Sequence, residues 1–465
     1  MGISSTLSIA AQAMQAQQLA IQTTGHNLAN VATPGFSRQR VDLASAFPSF
    51  EGGVILGQGV EVSAVQRMID RFTEAELLSL HGTVGFSDAQ NQALASIQEI
   101  FPTSGGIDAA LSAFFGALSD LANNPAGLTE RVSVIGKTGA LGGSLAQTRQ
   151  SLTSVQQNLD EHLRSSVERV NLLAEQIATL NAQIATTETR GEAANDFRDQ
   201  RQTLLQELTS LTGAAVREDR DGQVNVIAGG LMLVGGARFA SLRSDTLNAA
   251  GLHTITYQTP DGLSFDATAQ FTVGKLGSIL NMRDVKTQDL IDRLDQFAKT
   301  LIDEVNAQHA LGFDLTGAAG GDFFTSLATT TGAAANVRVD AAISADPRLI
   351  AAAAAADTVP GDNRNAQALV GLQTTNFAAL GGLTLQDNLL GLIGDVGAQT
   401  QTAQARLDFH QALLTQTQAR RESVSGVSID EEMTKLIQFQ RAFEASSMLV
   451  RTADDLYQSL LDMVR

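Results

Sequence analysis

The chain has 465 residues and a formal net charge of −18, from 31 Lys plus Arg against 49 Asp plus Glu. That acidity repels phosphate, which argues against nucleic acid and anionic lipid as partners. Cysteine is absent, which excludes disulfides, thiolate catalysis and Cys-ligated metals, and no uncharged apolar run reaches the roughly 20 residues of a membrane helix.

A heptad pattern begins close to the N-terminus. Large apolar side chains recur there every seven residues, at Leu7, Met14, Ile21 and Leu28. Seven residues make nearly two helical turns, so this spacing predicts a helix over residues 3–30 with a single apolar stripe. Residues 1–37 contain no Lys, Arg, Asp or Glu, and therefore lack the basic start of a cleavable secretion signal. If the protein leaves the cytoplasm, we expect it to use another route.

A sharp turn is predicted directly after this helix. The segment Thr33-Pro34-Gly35-Phe36 follows Asn30, and the proline pushes Thr33 out of the helical region. Pro34-Gly35 suits the two central positions of a type II turn, so the chain should leave the helix abruptly. Apolar residues then alternate with glycines between Gly52 and Val65, which predicts short strands or extended chain.

Helical patterns dominate the following 130 residues. Residues 84–122 have a helical pattern with breaks at Pro102 and at Gly105-Gly106. From about Thr129 to Thr212 the apolar residues step by three and four, with a break near Gly191. This region is therefore predicted to be a long antiparallel helical pair.

The apolar period changes to two between Ala214 and about Phe271. Asp221-Gly222 and Asp261-Gly262 are hairpin turn signals within that stretch, which predicts a small β insert between helical segments. Helix resumes near residue 278. Residues 313–345 are rich in Gly, Ala and Thr and contain one strand-like run at 337–339, and a further helix is predicted over roughly 386–422.

A second heptad pattern closes the chain. Its members are Leu436, Phe443, Val450, Tyr457 and Val464. The spacing predicts a helix over 429–464, roughly 54 Å long at 1.5 Å per residue. Because several positions between the heptad residues are small or polar, the two terminal helices cannot form a good core alone. We expect them to pair with each other and with further copies of the chain, and an ordinary helical hairpin within one chain is the alternative.

No catalytic, metal or cofactor site is predicted. Gly136-Lys137-Thr138 resembles the end of a phosphate loop, but Arg131 stands where that loop needs a glycine. Neither a His-Glu-x-x-His nor a Gly-x-Ser-x-Gly motif occurs in the sequence. Asp430-Glu431-Glu432 follows Ser428, and we interpret these acids as stabilising the N-terminus of the last helix.

Both ends of the chain carry sequence signatures of bacterial flagellar axial proteins. His26-Asn27-Leu28-Ala29-Asn30 with Thr33-Pro34-Gly35-Phe36 resembles the N-terminal motif of rod, hook and hook-associated proteins, with Phe36 where a Tyr is common. The run from Ser425 to Phe443 resembles their closing helix. Interior motifs resemble the hook-associated protein 1 family in particular. They include 57–62, 66–70, 175–181, 195–205, 221–236, 276–280, 305–309, 346–347 and 360–363.

This resemblance implies a structural role. Members of the hook-associated protein 1 family form a layer of subunits at the hook tip, the first of the hook–filament junction. The expected partners are copies of the chain, the hook protein below, hook-associated protein 3 above, a chaperone for the C-terminal region and the flagellar type III export apparatus. The resemblance also implies an extracellular location without a cleaved signal. No cofactor, nucleic acid or membrane insertion is expected.

The predicted fold is mainly α with a small β insert, in nested discontinuous domains. Residues 1–35 plus 426–465 are predicted to form a terminal coiled-coil domain, 36–213 plus 276–425 a helical body, and 214–275 a β-rich module. A rod or hook subunit is the alternative function, although the long helical pair argues against it. An enzyme, most plausibly a protease, and a secreted coiled-coil effector are further alternatives that explain fewer of these features.

Overall fold

The computed structural model describes residues 3–51, 54–102, 105–219 and 221–464. The helices are α1 (Ile3–Ala29), α2 (Arg71–Gln98), α3 (Ile107–Asn123), α4 (Leu128–Thr189), α5 (Asn195–Thr212), α6 (Gly274–Asn281), α7 (Thr287–Ala310), α8 (Ala341–Ala345), α9 (Arg364–Gly371), α10 (Leu385–Ser425) and α11 (Ile429–Val464). The strands are β1 (Gln39–Ser45), β2 (Ser49–Glu51), β3 (Val54–Leu56), β4 (Val60–Arg67), β5 (Ala215–Glu218), β6 (Val224–Ala228), β7 (Leu231–Gly235), β8 (Arg238–Phe239), β9 (Ser241–Arg243), β10 (Thr256–Gln258) and β11 (Ser264–Asp266). The mainly α fold with a small β insert is confirmed.

A helical body contains the main hydrophobic core. Its centre is α4, a helix of 62 residues that packs against α3, α5 and α7. The buried leucines of α4, such as Leu152, Leu163 and Leu173, join one continuous apolar cluster that extends from Leu78 on α2 to Ala403 on α10. Within the described residues, this cluster includes no side chain of α1 or α11.

The first helix of the body starts earlier than the sequence pattern indicates. It begins at Arg71 rather than near residue 84, because the Asp70 side chain accepts a hydrogen bond from the Phe72 backbone N–H and caps the helix. The predicted break near Gly191 is confirmed, since α4 ends at Thr189 and α5 begins at Asn195.

The β module lies against the outside of α4. Strands β5 to β8 form an antiparallel sheet in sequence order, and β9 to β11 form a second antiparallel sheet. Asn171 and Asn181 on α4 attach these sheets. Each side-chain amide donates to the carbonyl of one strand residue and accepts from the N–H of the same residue, Leu242 and Val224 respectively.

The segment between α7 and α10 is largely irregular, and the predicted strand over 337–339 is wrong. Val339 makes only an isolated bridge to Phe324. The backbone of Phe324 is held by the side chain of Asn306 on α7. The Asn306 amide accepts from the Phe324 N–H at 2.7 Å and donates to the Phe324 carbonyl at 2.9 Å. Because these backbone groups are satisfied by a helix side chain, the segment needs no neighbouring strand.

The two terminal helices form a separate hairpin, called here the terminal hairpin. Helices α1 and α11 pack along each other. The C-terminal end of α1 meets the N-terminal end of α11, where Asn27 bonds Glu432, so the two helices are antiparallel. Strands β1 and β4 form a two-stranded ribbon that runs beside α1.

Candidate assembly surface and its joint to the body

The predicted heptad residues lie on both terminal helices, but they are not the most buried residues there. Three of those on α1 are half-buried, namely Met14, Ile21 and Leu28, whereas Leu7 is 44% exposed. On α11 the half-buried ones are Leu436, Phe443 and Val450, and Tyr457 is 57% exposed. The side chain of Val464 lies outside the described residues.

Among the apolar and hydroxyl side chains of α1 and α11, the most buried ones are small. Ala10, Ala16 and Ala20 are buried on α1, and Ser446 and Ala453 are buried on α11. The large apolar side chains of the terminal hairpin are only partly covered.

Helix α11 carries a second set of apolar side chains that the heptad analysis missed. They are exposed and lie off the heptad stripe: Met433, Ile437, Met448, Leu449, Leu456 and Met463. Plotting α11 on a helical wheel at 100° per residue would have found them, because several fall opposite the buried stripe. This helix is thus apolar on more than one side, as expected of a helix that contacts more than one neighbour.

The predicted turn motif has the expected geometry. Gly35 has φ of +82°, and the Phe36 N–H donates to the Thr33 carbonyl at 3.2 Å, as a type II turn requires. A Cβ on Gly35 would lie 2.6 Å from the Thr203 hydroxyl, so the turn packs directly on α5. The Asn30 side chain donates to the His26 carbonyl and accepts from the Thr33 hydroxyl, which ties the helix end to the turn.

Asn27 connects three elements at this end of the terminal hairpin. Its side chain donates to the Gln39 carbonyl at 2.8 Å and accepts from the Gln39 N–H at 2.9 Å. The same amide donates to the Glu432 carboxylate at 2.8 Å. Arg38 also bonds Glu432, so a buried carboxylate of α11 joins α1 to the start of the ribbon.

A second group of charges fastens the ribbon to the body. Asp199 of α5 accepts from the Ser37 N–H at 2.9 Å and pairs with Arg67 of β4 at 2.6 Å. Burial raises the pKa of the Asp199 carboxyl, and the Arg67 guanidinium opposes that shift. Arg421 of α10 pairs with Glu74 of α2 and also donates to the Ser37 hydroxyl. These two groups, from Asn27 to Arg421, are called the joint.

Sequence reasoning identified Asn27 but missed most of the joint. Glu432 was interpreted as a helix-terminus acid, and its position in the first turn of α11 agrees with that, yet its carboxylate also bonds Asn27 and Arg38. Asp199 was noted only as part of an interior motif. No local pattern signals these contacts, because the partners of Glu432 and Asp199 lie 132 to 405 residues away in the chain.

The terminal region presents a joint held by hydrogen bonds and ion pairs, and a partly uncovered apolar surface. In the part of the chain that the structure describes, no three His, Asp or Glu side chains are grouped to hold a metal ion. None of the helices in these residues is long and apolar enough to cross a membrane.

Comparison with known proteins gives a consistent result along the whole chain. The family described as "Flagellar hook-associated protein FlgK helical domain" matches residues 94–324. Flagellar hook-associated protein 1 of Bacillus subtilis is 28% identical, over 98% of this chain and 97% of the relative. The protein of the same name from Escherichia coli is 26% identical, over 99% of this chain and all of the relative. The chain is similar to flagellar hook-associated protein 1 along nearly its whole length.

Other matches agree with this similarity. The family "Flagella basal body rod protein" matches residues 7–36, and "Flagellar basal body rod FlgEFG protein C-terminal" matches 419–463. These ranges coincide with α1 plus the turn and with the end of α10 plus α11. The structure of the flagellar hook junction protein FlgK from Burkholderia pseudomallei has the same fold, with a TM-score of 0.66, 17% identity, and coverage of 76% of this chain and all of that one. Family members are structural components of the flagellum.

Proposed function

We propose that this chain is the structural subunit of the hook–filament junction, which self-assembles at the hook tip and seats the filament. The single observation that supports this most is the uncovered apolar surface of α11, outside the core of the body. Apolar surface of this extent on a folded chain is typical of an interface with another protein. The relatives named hook-associated protein 1 support the same role.

The proposed assembly uses the terminal hairpin as the axial unit. Residues 1–35 plus 426–465 would pack beside the same residues of neighbouring copies, through the heptad residues and the outer side of α11. The body and the β module would lie further out. The hook protein below and hook-associated protein 3 above complete the proposed set of structural partners.

Export without a cleaved signal is part of the proposal. The chain would travel through the flagellar type III apparatus, with a cytosolic chaperone on its C-terminal region. Exposed apolar side chains such as Met448 and Leu456 would need such protection before assembly. The absence of cysteine suits a chain that refolds after crossing compartments.

Deletion of the gene tests the proposed function. Electron microscopy of the mutant cells is combined with an assay of flagellin in the medium. Bare hooks with flagellin released into the medium are expected, because export would continue while the filament had no attachment layer. Absent hooks would instead indicate the alternative function, a rod or hook subunit, and intact filaments would contradict both.

A point variant tests the proposed assembly surface. Phe443→Asp places a charge in the half-buried contact between α1 and α11, and we expect it to prevent filament attachment while the body stays folded. Leu263→Asp, on the exposed surface of the β module, is the matched control and should leave filaments normal. Normal filaments on the Phe443 variant would contradict a role for this surface.

A further inference from the structure

Two strongly exposed aromatic residues lie close together in sequence at a small hairpin. Strands β2 and β3 pair in register, with Phe50 opposite Ile55. Phe47 is 88% exposed and Phe50 is 76% exposed, and Ile55 is exposed beside them. Monomeric proteins seldom leave grouped aromatic side chains in water without a binding function. These three residues are called the hairpin tip.

The hairpin tip lies at the far end of the terminal hairpin from the joint. The ribbon begins where Gln39 bonds Asn27 and runs back along α1 until Gly59 contacts Ile9. Residues 9 and 27 are separated by 18 residues of helix, which corresponds to about 27 Å at 1.5 Å per residue. The tip, which lies beyond Gly59 in the ribbon, therefore cannot reach the joint of its own chain.

An open cleft of about 860 Å³ lies beside the joint. Helices α4 and α5 form one wall of this cleft and the turn forms the other. The apolar side chains lining it are Pro34, Phe36, Leu172, Leu180 and Leu204. Leu172 is 43% exposed, so the single chain leaves apolar surface in the cleft in contact with water. This space is called the joint cleft.

The charges in the joint cleft are compatible with an apolar occupant. Asp196 accepts from Gln39 at 2.8 Å and lies 3.2 Å from His26, and Asp199 pairs with Arg67. Glu175 is exposed and can remain in water at the rim. An apolar group that enters the cleft therefore does not bury an unpaired carboxylate, which would be the main cost of docking there.

We propose that the hairpin tip of one copy docks into the joint cleft of a neighbouring copy. The inference rests on the proposed function, since it needs copies assembled along one axis. The tip and the cleft lie at opposite ends of α1, so a neighbour shifted by about the length of α1 brings them together. Because the two surfaces differ, the contact is heterologous and extends from copy to copy, as a ring or helical layer requires.

A second large cleft is a weaker candidate for the same tip. It has about 800 Å³, lies between α2, α10 and the start of the β module, and has Arg406 and His410 among its lining residues. This cleft belongs to the body, whereas the joint cleft adjoins the end of α1 and so continues the surface through which neighbouring copies are proposed to pack. We therefore assign the hairpin tip to the joint cleft.

Disulfide cross-linking tests the contact, and the cysteine-free chain makes the experiment clean. Phe50→Cys and Leu172→Cys are placed in two differently tagged full-length chains, which are co-expressed in cells that lack the native chain. Isolated hook structures are then oxidised. We expect a dimer between the two tags, about tenfold more abundant than with the control pair Leu263→Cys plus Leu172→Cys. Equal dimer formation by both pairs would overturn the proposal.

A double variant tests the contact without cysteine. Phe47→Ser plus Phe50→Ser removes the aromatic side chains, and because both are exposed the melting curve of the purified chain should not change. We expect about tenfold fewer copies per isolated hook, since buried aromatic anchors dominate interface energies. The control Leu263→Ser should assemble as the unchanged chain does, and normal assembly of the double variant would overturn the proposal.

The outcomes separate this inference from the proposed function. If the unchanged chain is absent from isolated hook structures, the proposed function itself fails. If it is present there and the cross-link between positions 50 and 172 does not form, the function stands and the docking of the tip is wrong.

Discussion

The helical body and the terminal hairpin are both built from long helices with regular apolar spacing, but they bury opposite kinds of residue. In the body the core-facing side of α4 fully buries large side chains, and Leu152, Leu163 and Leu173 have no exposed surface. In the terminal hairpin the buried residues are small, such as Ala10 and Ala453, and the large ones are half-buried or exposed.

The difference shows that periodicity predicts a helix but not what the helix will bury. Helix α4 is surrounded by α3, α5 and α7, so a leucine on its apolar side meets other side chains in all directions. Helices α1 and α11 have mainly each other and the ribbon. Two helices provide one contact surface, which cannot enclose large side chains on several sides. The remaining apolar area is available to another chain.

The largest effect should come from a core truncation in the body. Phe114 has no exposed surface and packs against Phe115, Phe323 and Phe324. We expect Phe114→Ala to lower the free energy of unfolding by about 3–5 kcal/mol, measured by denaturant unfolding with circular dichroism. Leu456→Ala on the exposed side of α11 is the control and should change it by less than about 0.5 kcal/mol. If both variants lowered the free energy of unfolding by similar amounts, the body and the terminal hairpin would not differ in how they bury large side chains.

A buried cation should give the next largest effect. Arg131 of α4 is buried and donates to the carbonyls of Pro125 and Ile350, and burial lowers its pKa to about 10. Arg131→Met keeps an apolar chain but leaves these carbonyls without a donor, so we expect a loss of about 2–3 kcal/mol. The same measurement on Arg190→Met, an exposed arginine at the end of α4, should show little change.

Loosening the joint should affect the terminal hairpin alone. Asn27→Ala removes the hydrogen bonds to Gln39 and Glu432. We expect it to lower the free energy of opening the terminal hairpin by about 1–2 kcal/mol and to leave the stability of the body unchanged. Hydrogen exchange should become faster in α1 and α11 and stay unchanged in α4. Gln22→Ala, at an exposed position of α1, is the control. Equal acceleration in α4 would show that the two regions unfold together.

The smallest effect is a pH dependence of the body. Burial lowers the pKa of His309, whose Nδ1 lies 2.7 Å from the Gly321 carbonyl and whose Nε2 accepts from the Ala351 N–H at 2.8 Å. The unfolded chain therefore binds this proton first, near pH 6.5. Stability is fully present above that pH and falls as the pH drops towards the lower pKa of the folded state.

Unfolding measured between pH 7.5 and 5 checks this dependence. His309→Gln should reduce the slope of the unfolding free energy against pH, whereas His162→Gln, at an exposed position of α4, should leave that slope unchanged. An identical slope in the His309 variant would contradict the assignment. Because the prediction concerns the core, α1 and α11 should show no matching change in hydrogen exchange.

Local signals explain what could be predicted of the fold. The helix expected over 429–464 is observed as Ile429–Val464, and the helix expected over 3–30 as Ile3–Ala29. The turn at Pro34-Gly35 and the break near Gly191 were also predicted. Each of these depends on residues within one or two helical turns, where spacing, proline and glycine act directly.

The candidate site could be predicted only in part, since its residues become neighbours through folding. The heptad positions predicted both terminal helices, but the buried apolar residues there are alanines such as Ala10 and Ala453, which lie between the heptad positions. Glu432, Asp199 and Arg67 have no local feature that distinguishes them from other surface charges. Their role in the joint depends on contacts between distant parts of the chain.

By itself the sequence determined the α-rich class, the bounds of the terminal helices, the position of the β insert and the resemblance to flagellar axial proteins. The tertiary structure decided which sides of α1 and α11 remain uncovered, and how asparagine side chains attach helices to extended chain. Asn27, Asn171, Asn181 and Asn306 each pair with both backbone groups of one distant residue. An amide side chain supplies one donor and one acceptor anywhere in the sequence, and only the fold determines which backbone it meets.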